Sequence, residues 1–189
     1  MAITDAIFKQ LRKNAEKGGE DTGVNNKLRS KTAMIISVFA AIFSINMFFQ
    51  NSTNSLILNN TIKANDLWSF YQAKSIKQGM AEYAWEDAVR AKDTKRADEL
   101  KARIDRYESE PATNEGKKEL FARAKAIEAE RDIAKKKAPW FGLAGSVMQI
   151  AIVLLTASML SAGIVMFWGG IVAQAAALAL MAQALFLFF

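Results

Sequence analysis

Residues Pro139–Phe189 read PWFGLAGSVMQIAIVLLTASMLSAGIVMFWGGIVAQAAALALMAQALFLFF, and this stretch contains no Asp, Glu, Lys or Arg. A charged side chain at the centre of a bilayer costs roughly 2.5–3.5 kcal/mol, so membrane spans exclude charge. A soluble domain has no reason to exclude it for so long. One spanning helix needs about 20 apolar residues. Residues 139–189 therefore predict a two-span transmembrane hairpin that turns at Ser161-Ala162-Gly163.

The composition argues against several classes of function. The 189 residues include no Cys and no His, which excludes zinc fingers, thiolate iron–sulfur sites, haem with a His or Cys ligand, and Ser–His or Cys catalysis. The only prolines are Pro111 and Pro139, which are expected to mark breaks between helices. We expect an all-α membrane protein that is not an enzyme and has no cofactor or metal.

The N-terminal part divides into a basic segment, residues 1–31, and a first transmembrane helix, residues 32–50. Apolar residues recur every four positions in the segment, at Ile3, Ile7, Leu11 and Ala15. Such a face either lies on an anionic membrane surface or packs as a cap on the rest of the protein. The apolar run from Thr32 to Phe49 resembles a secretory signal peptide, but no small-x-small cleavage site follows it closely. We interpret it as a retained span.

The hydrophilic residues 51–138 predict an extramembrane antiparallel helical hairpin. Ala97, Leu100, Ile104 and Tyr107 are spaced by three, four and three, as in a coiled-coil seam. Pro111, Asn114 and Gly116 then favour a turn. The expected seam of the hairpin comprises Leu100, Ile104, Tyr107, Leu120, Ala124 and Ile127.

A length argument places the aromatic residues of this region. A return helix from Lys117 to the membrane at Trp140 needs a partner of similar length, which would begin near Met80. The preceding residues would then lie close to the membrane surface, where aromatic rings are enriched. The alternative is that the rings lock the base of the hairpin. The residues concerned are Trp68, Phe70, Tyr71, Lys74, Lys77 and Trp140.

Small residues on the last span favour a close helix contact. Gly169, Ala173 and Ala177 are spaced by four, and such residues let helix backbones approach in lipid. This face either packs on the chain's own preceding span or also meets a second partner, which we expect because Gly and Ala extend around more than one face. The predicted interface comprises Gly169, Gly170, Ala173, Gln174, Ala177 and Gln183. We expect the side-chain amides of Gln149, Gln174 and Gln183 to form hydrogen bonds with neighbouring helices rather than to line a pore.

Two charge features have simple interpretations. Glu82, Glu86 and Asp87 could hold a hard cation, but Arg90 and nearby lysines favour a solvated, salt-bridged face. The net charge is +6, and no nucleic-acid-binding motif accompanies it. We therefore expect membrane lipids and other membrane-protein subunits as partners, and no nucleic acid.

The string Asp66–Lys77, DLWSFYQAKSIK, resembles the signature of a bacterial membrane-protein family, domain of unknown function 4337. Members show a Trp, two aromatics and Gln-Ala-Lys soon after their first span, and Gln149-Ile150-Ala151-Ile152 is similar to their second span. The resemblance covers about residues 32–189. The turn Ser161-Ala162-Gly163 departs from it, since that turn is usually basic, and so does the basic N-terminal tail. The resemblance implies one span, a helical loop and two spans, with no assigned activity.

Orientation and function follow as expectations. Basic residues before the first span favour a cytoplasmic N-terminus, whereas Lys135–Lys137 argue for the reverse. Because long loops cross regardless of charge, we expect an integral protein of a bacterial inner membrane, with the N-terminus in the cytoplasm and the hairpin in the periplasm or lumen. The expected function is a scaffold or auxiliary subunit that assembles with itself or with a larger membrane complex. The alternative is a homo-oligomeric channel or transporter, with Gln174 and Gln183 lining its path.

Overall fold

The computed structural model describes the backbone of residues 2–161 and 163–187 and the side chains of residues 29–160 and 163–187. Its elements are helices α1 (Ala2–Arg90), α2 (Thr94–Glu108), α3 (Lys117–Ser161) and α4 (Ile164–Phe186). Within the described residues there is no strand, so the all-α prediction is confirmed. The predicted apolar face of residues 1–31 lies almost wholly outside the described side chains.

The helices are separated by short breaks with local causes. Lys92 adopts a left-handed backbone with φ 57°, and Asp93 caps α2 by accepting a 3.1 Å hydrogen bond from the Arg96 N–H. Asn114 is also left-handed, at φ 57°, in the turn before α3. Pro139, in contrast, lies inside α3. The expected break there was wrong. A proline inside a helix removes one backbone hydrogen bond, but Ala134 and Phe141 on either side of Pro139 are buried. We attribute the continuation of the helix to this packing.

The chain forms two compact units. One comprises Ser52–Lys136, and the other combines Met1–Asn51 with Lys137–Phe189. We call them the polar unit and the apolar unit. Helices α1 and α3 contribute residues to both.

In the polar unit both later helices pack against α1. Leu67 of α1 forms a buried cluster with Leu120 and Ala124 of α3, and further along α1 a shallow cavity is lined by Ala84 of α1 and Leu100 of α2. The expected seam, in which Leu120 and Ala124 face α2, was therefore wrong, because these two residues pack on Leu67 of α1. Each of these helices buries its stripe against a different part of α1.

In the apolar unit α3 is the most buried helix. Its residues Ala144, Met148, Ala151 and Leu155 have no exposed surface. On the α1 side, the Asn46 side-chain N–H donates to the Phe141 carbonyl at 3.1 Å, and the Phe49 and Phe141 rings stack with centroids 5.9 Å apart. Helices α1, α3 and α4 each hold a segment long and apolar enough to cross a membrane.

Candidate assembly surfaces

The small residues of α4 form a close contact with α3. A Cβ added at Gly170 would lie 2.7 Å from the Leu155 Cγ and 3.1 Å from the Ala151 carbonyl oxygen, so the two helices approach where only glycine fits. Ala177 is also fully buried. Gly169 and Ala173 are half-buried at the edge, and a Cβ at Gly169 would meet Leu154 Cδ1 at an ordinary 3.7 Å. This face is thus occupied by the chain's own preceding span.

The two predicted interface amides lie inside the apolar unit. Gln174 is 1% exposed and Gln183 4% exposed. Neither the Nε2 nor the Oε1 atom of Gln174 has a hydrogen-bond partner in the described part of the chain. A buried amide without partners costs about 1–3 kcal/mol. Gln174 is therefore a buried amide whose polar atoms have neither solvent nor a described side chain as a partner.

Gln149 of α3 has the opposite environment. Its side chain is exposed, and in the described structure it makes no hydrogen bond. Neighbouring hydroxyls are satisfied by their own helix: Ser146 Oγ donates to the Gly142 carbonyl at 3.0 Å and Thr156 Oγ1 to the Ile152 carbonyl at 2.8 Å. Gln149 is thus an unpaired amide on the outer surface of an apolar helix.

Asn46 was not anticipated as a site residue. It is fully buried in α1, and its Nδ2 atom would lie 3.0 Å from a Cβ added at Gly145 of α3. An isolated Asn in an apolar run, facing a glycine-containing span, was the available signal for this contact.

An aromatic cluster occupies the start of α3 in the polar unit. Trp68 and Tyr71 of α1 meet edge to face, with centroids 5.6 Å apart, and Trp68 meets Phe121 in the same way at 5.5 Å. Lys125 lies 5.4 Å from the Trp68 ring centre and Lys117 lies 5.6 Å from that of Tyr71. These cation–π contacts reinforce the packing of α1 on α3.

The position of this cluster corrects the length argument. Phe121 lies fifteen residues before Lys136 on α3, about 22 Å at 1.5 Å per residue. Trp68 and Tyr71 are therefore at the turn end of α3, not at the end where the chain enters the apolar tract. The argument failed because it paired the return helix with residues 80–107, whereas α3 packs on the earlier residues of α1.

The remaining predicted residues occupy several environments. Phe70 is 63% exposed, while Lys74 lies 5.7 Å from the Tyr107 ring centre and pairs with Glu110 at 3.7 Å. Ile104 is buried, and Ile127 packs on the Leu67 cluster. Trp140 is half-buried. The polar-unit residues Lys77, Leu100 and Tyr107 line the cavity between α1 and α2.

Two carboxylates of α3 accept hydrogen bonds that lower their pKa values. Glu128 accepts hydrogen bonds from Lys125 Nζ at 2.8 Å and Trp68 Nε1 at 3.0 Å, and these bonds, that from Lys125 first, lower its pKa. Glu119 accepts from Ser109 Oγ at 2.6 Å and from the Glu110 N–H at 3.1 Å. These two bonds, in that order, lower the pKa of Glu119. Neither set of hydrogen bonds was predicted. The bond from Trp68 to Glu128 comes from α1, and the bonds to Glu119 come from the turn before α3.

The acidic set near the end of α1 is engaged in ion pairs. Glu86 and Asp87 pair with Arg90 at 3.2 and 3.7 Å, and Gln78 Nε2 donates to Glu82 Oε1 at 3.1 Å. All these contacts lie within α1, and the four charged side chains are exposed.

The fold and these surfaces define a class: an all-helical protein with three helices long and apolar enough to cross a membrane. The chain belongs to the family described as "Domain of unknown function (DUF4337)", whose model matches residues 28–187. This confirms the family suggested by the Asp66–Lys77 signature. No curated protein and no solved structure matched the chain.

Proposed function

We propose that this protein is a structural or accessory integral membrane protein, a scaffold or auxiliary subunit that assembles with itself or with a larger membrane complex. Its apolar unit would cross a bacterial inner membrane three times. The N-terminus would lie in the cytoplasm and the polar unit in the periplasm or lumen.

The exposed amide of Gln149 is the observation that carries the proposal. In hydrocarbon a Gln side chain seeks a hydrogen-bond partner across a helix interface. The neighbouring hydroxyls are satisfied by backbone carbonyls of their own helix, but Gln149 is not. A partner helix from another copy or another subunit would supply the missing donor and acceptor.

The surface around Gln149 agrees with this proposal. Ile150 and Val153 on α3 are 56% and 66% exposed, and only 33% of the most apolar window of α3 is buried. The corresponding fractions for α1 and α4 are 11% and 17%. Three helices that bury so little of one another leave ample surface for lipid and for neighbouring subunits.

The channel alternative receives less support. It requires Gln174 and Gln183 to face a path between copies, whereas both side chains are buried within a single chain. Opening such a path would separate α4 from α3 at Gly170, where a Cβ would lie only 2.7 Å from Leu155 Cγ.

The test compares Gln149→Leu with Gln149→Asn, which keeps the amide. We expect the native protein in lipid nanodiscs to have a mass well above one 20.9 kDa chain. An interhelical polar contact contributes about 0.6–2 kcal/mol, so Gln149→Leu should raise the dissociation constant of the assembly roughly 3- to 30-fold. Gln149→Asn should retain most of the assembly. A single-chain native mass, or an assembly unaffected by Gln149→Leu, contradicts the proposal.

A further inference from the structure

The outer face of α1 within the polar unit carries an apolar stripe. Its large members are strongly exposed: Leu58 61%, Ile62 52%, Ile76 60%, Met80 67% and Tyr83 75%. With Ser69, which is also exposed, they point within about 60° of one another at 100° per residue. The buried residues Leu67 and Ala81 lie on the opposite side of the helix. We call Leu58, Ile62, Ser69, Ile76, Met80 and Tyr83 the outer stripe.

Gly79 provides an independent observation beside this stripe. In a helix interior glycine is about 1 kcal/mol less favourable than alanine. A Cβ added at Gly79 would have no atom within 4 Å, so no packing in the described chain requires glycine there. Glycine on an open helix face allows another backbone to approach closely.

We infer that the outer stripe binds a second copy of this chain, with α1 packed against α1 in parallel. This inference rests on the proposed function, because copies inserted in one direction can form a two-fold pair only about an axis along the membrane normal. Each stripe residue then faces its own counterpart. All six are uncharged, so the pairing brings no like charges together along the stripe.

Charge and register agree with a second copy as the occupant. Between Leu58 and Tyr83 the stripe face carries no charged residue, so a parallel two-fold pair sets two uncharged faces against each other. Exposed Asn65 lies on the stripe face, and a self-paired Asn fixes the register of parallel helices. The stripe ends before Asp87, whose charge is paired with Arg90.

The exposed area is large enough to permit a specific pair. At the observed exposures, the five large residues present about 600 Å² per copy, so their complete burial in a pair would remove at most about 1,200 Å² in total. A specific interface needs about 1,000 Å² or more. Glu86 on one flank and Asp87 just beyond the end of the stripe make an anionic lipid surface a poorer occupant than a second copy.

Single-cysteine cross-linking tests this directly, because the chain has no cysteine of its own. Ser69→Cys, Ile76→Cys and Tyr83→Cys, each in the full-length protein in native membranes, should form disulfide-linked dimers of twice the 20.9 kDa chain mass. The exposed control positions Lys63→Cys and Glu82→Cys point away from the stripe and should lose this cross-link. Adding Gly79→Leu to Ile76→Cys should abolish it without unfolding the chain, since a Cβ added at Gly79 has no atom within 4 Å.

The outcomes separate this inference from the proposed function. Stripe thiols that react with maleimide but do not cross-link, in a particle heavier than one chain, overturn the inference and leave the assembly proposal standing. A single-chain native mass overturns both. Equal cross-linking at Lys63→Cys, or a stripe thiol linked to a different protein, also overturns the assignment of a second copy.

Discussion

Gly170 and Gly169 are adjacent glycines with different surroundings. Alanine at Gly170 places its Cβ 2.7 Å from Leu155 Cγ, whereas alanine at Gly169 finds an ordinary contact at 3.7 Å. Both changes gain the same helix propensity, about 1 kcal/mol. Overpacking typically costs about 1–3 kcal/mol, so we expect Gly170→Ala to be less stable than Gly169→Ala by that amount.

Thermal unfolding of both variants in the same detergent measures this difference, with the wild type as reference. Equal melting temperatures for Gly169→Ala and Gly170→Ala would show that the α3–α4 contact does not centre on Gly170.

Sequence alone identified the small residues of α4 that meet α3, Gly170 and Ala177 among them, but could not separate them from Gly169 and Ala173. The spacing of Gly169, Ala173 and Ala177 predicts one face, while the structure centres the contact on Gly170 and Ala177. Adjacent glycines make both faces equally plausible in a sequence, and only the packing of Leu155 distinguishes them. The same holds for Gln149 and Gln174, identical residues in apolar runs, of which one is exposed and the other buried.

At the scale of elements, the apolar stripes of α2 and α3 were predictable and their partner was not. The spacing around Ile104 and Leu120 shows which face is buried, but periodicity carries no information on which helix covers it. The break after Arg90 also has a weak signal. It contains neither Gly nor Pro, and only the capping Asp93, with Lys92 left-handed before it, separates α2 from α1.

The turn before α3 gives a prediction for pH dependence. Hydrogen bonds from Ser109 and the Glu110 backbone lower the pKa of Glu119 below its ordinary 4.5. A lowered folded-state pKa contributes stability that is present above 4.5 and is lost as the pH falls below it. We therefore expect the melting temperature to drop below that pH, and Glu119→Gln to reduce the drop.

Melting curves of the full chain between about pH 7 and pH 3 measure the effect. Glu99→Gln is the matched control, because Glu99 is exposed on α2 and makes no hydrogen bond or ion pair in the described structure. A pH profile changed equally by both substitutions would remove the specific role of Glu119.

At the scale of the whole molecule, the uncharged tract from Pro139 onward and the run from Thr32 to Phe49 were sufficient to predict three long apolar helices. These apolar helices can be found from composition because the absence of charged residues in a segment is read from the sequence directly, without knowledge of tertiary contacts. The routes of α2 and α3 along α1 depend on long-range packing, so they required the structure.

The central claim is that the chain crosses a membrane three times, and single thiols in this cysteine-free chain test it most directly. Ser30→Cys precedes the first span, Thr113→Cys lies in the turn before α3, and Gly163→Cys lies between α3 and α4. With a membrane-impermeant maleimide and sealed vesicles, we predict that the thiols at 30 and 163 label from one side and the thiol at 113 from the other. Labelling of all three from the same side would contradict the three-span account.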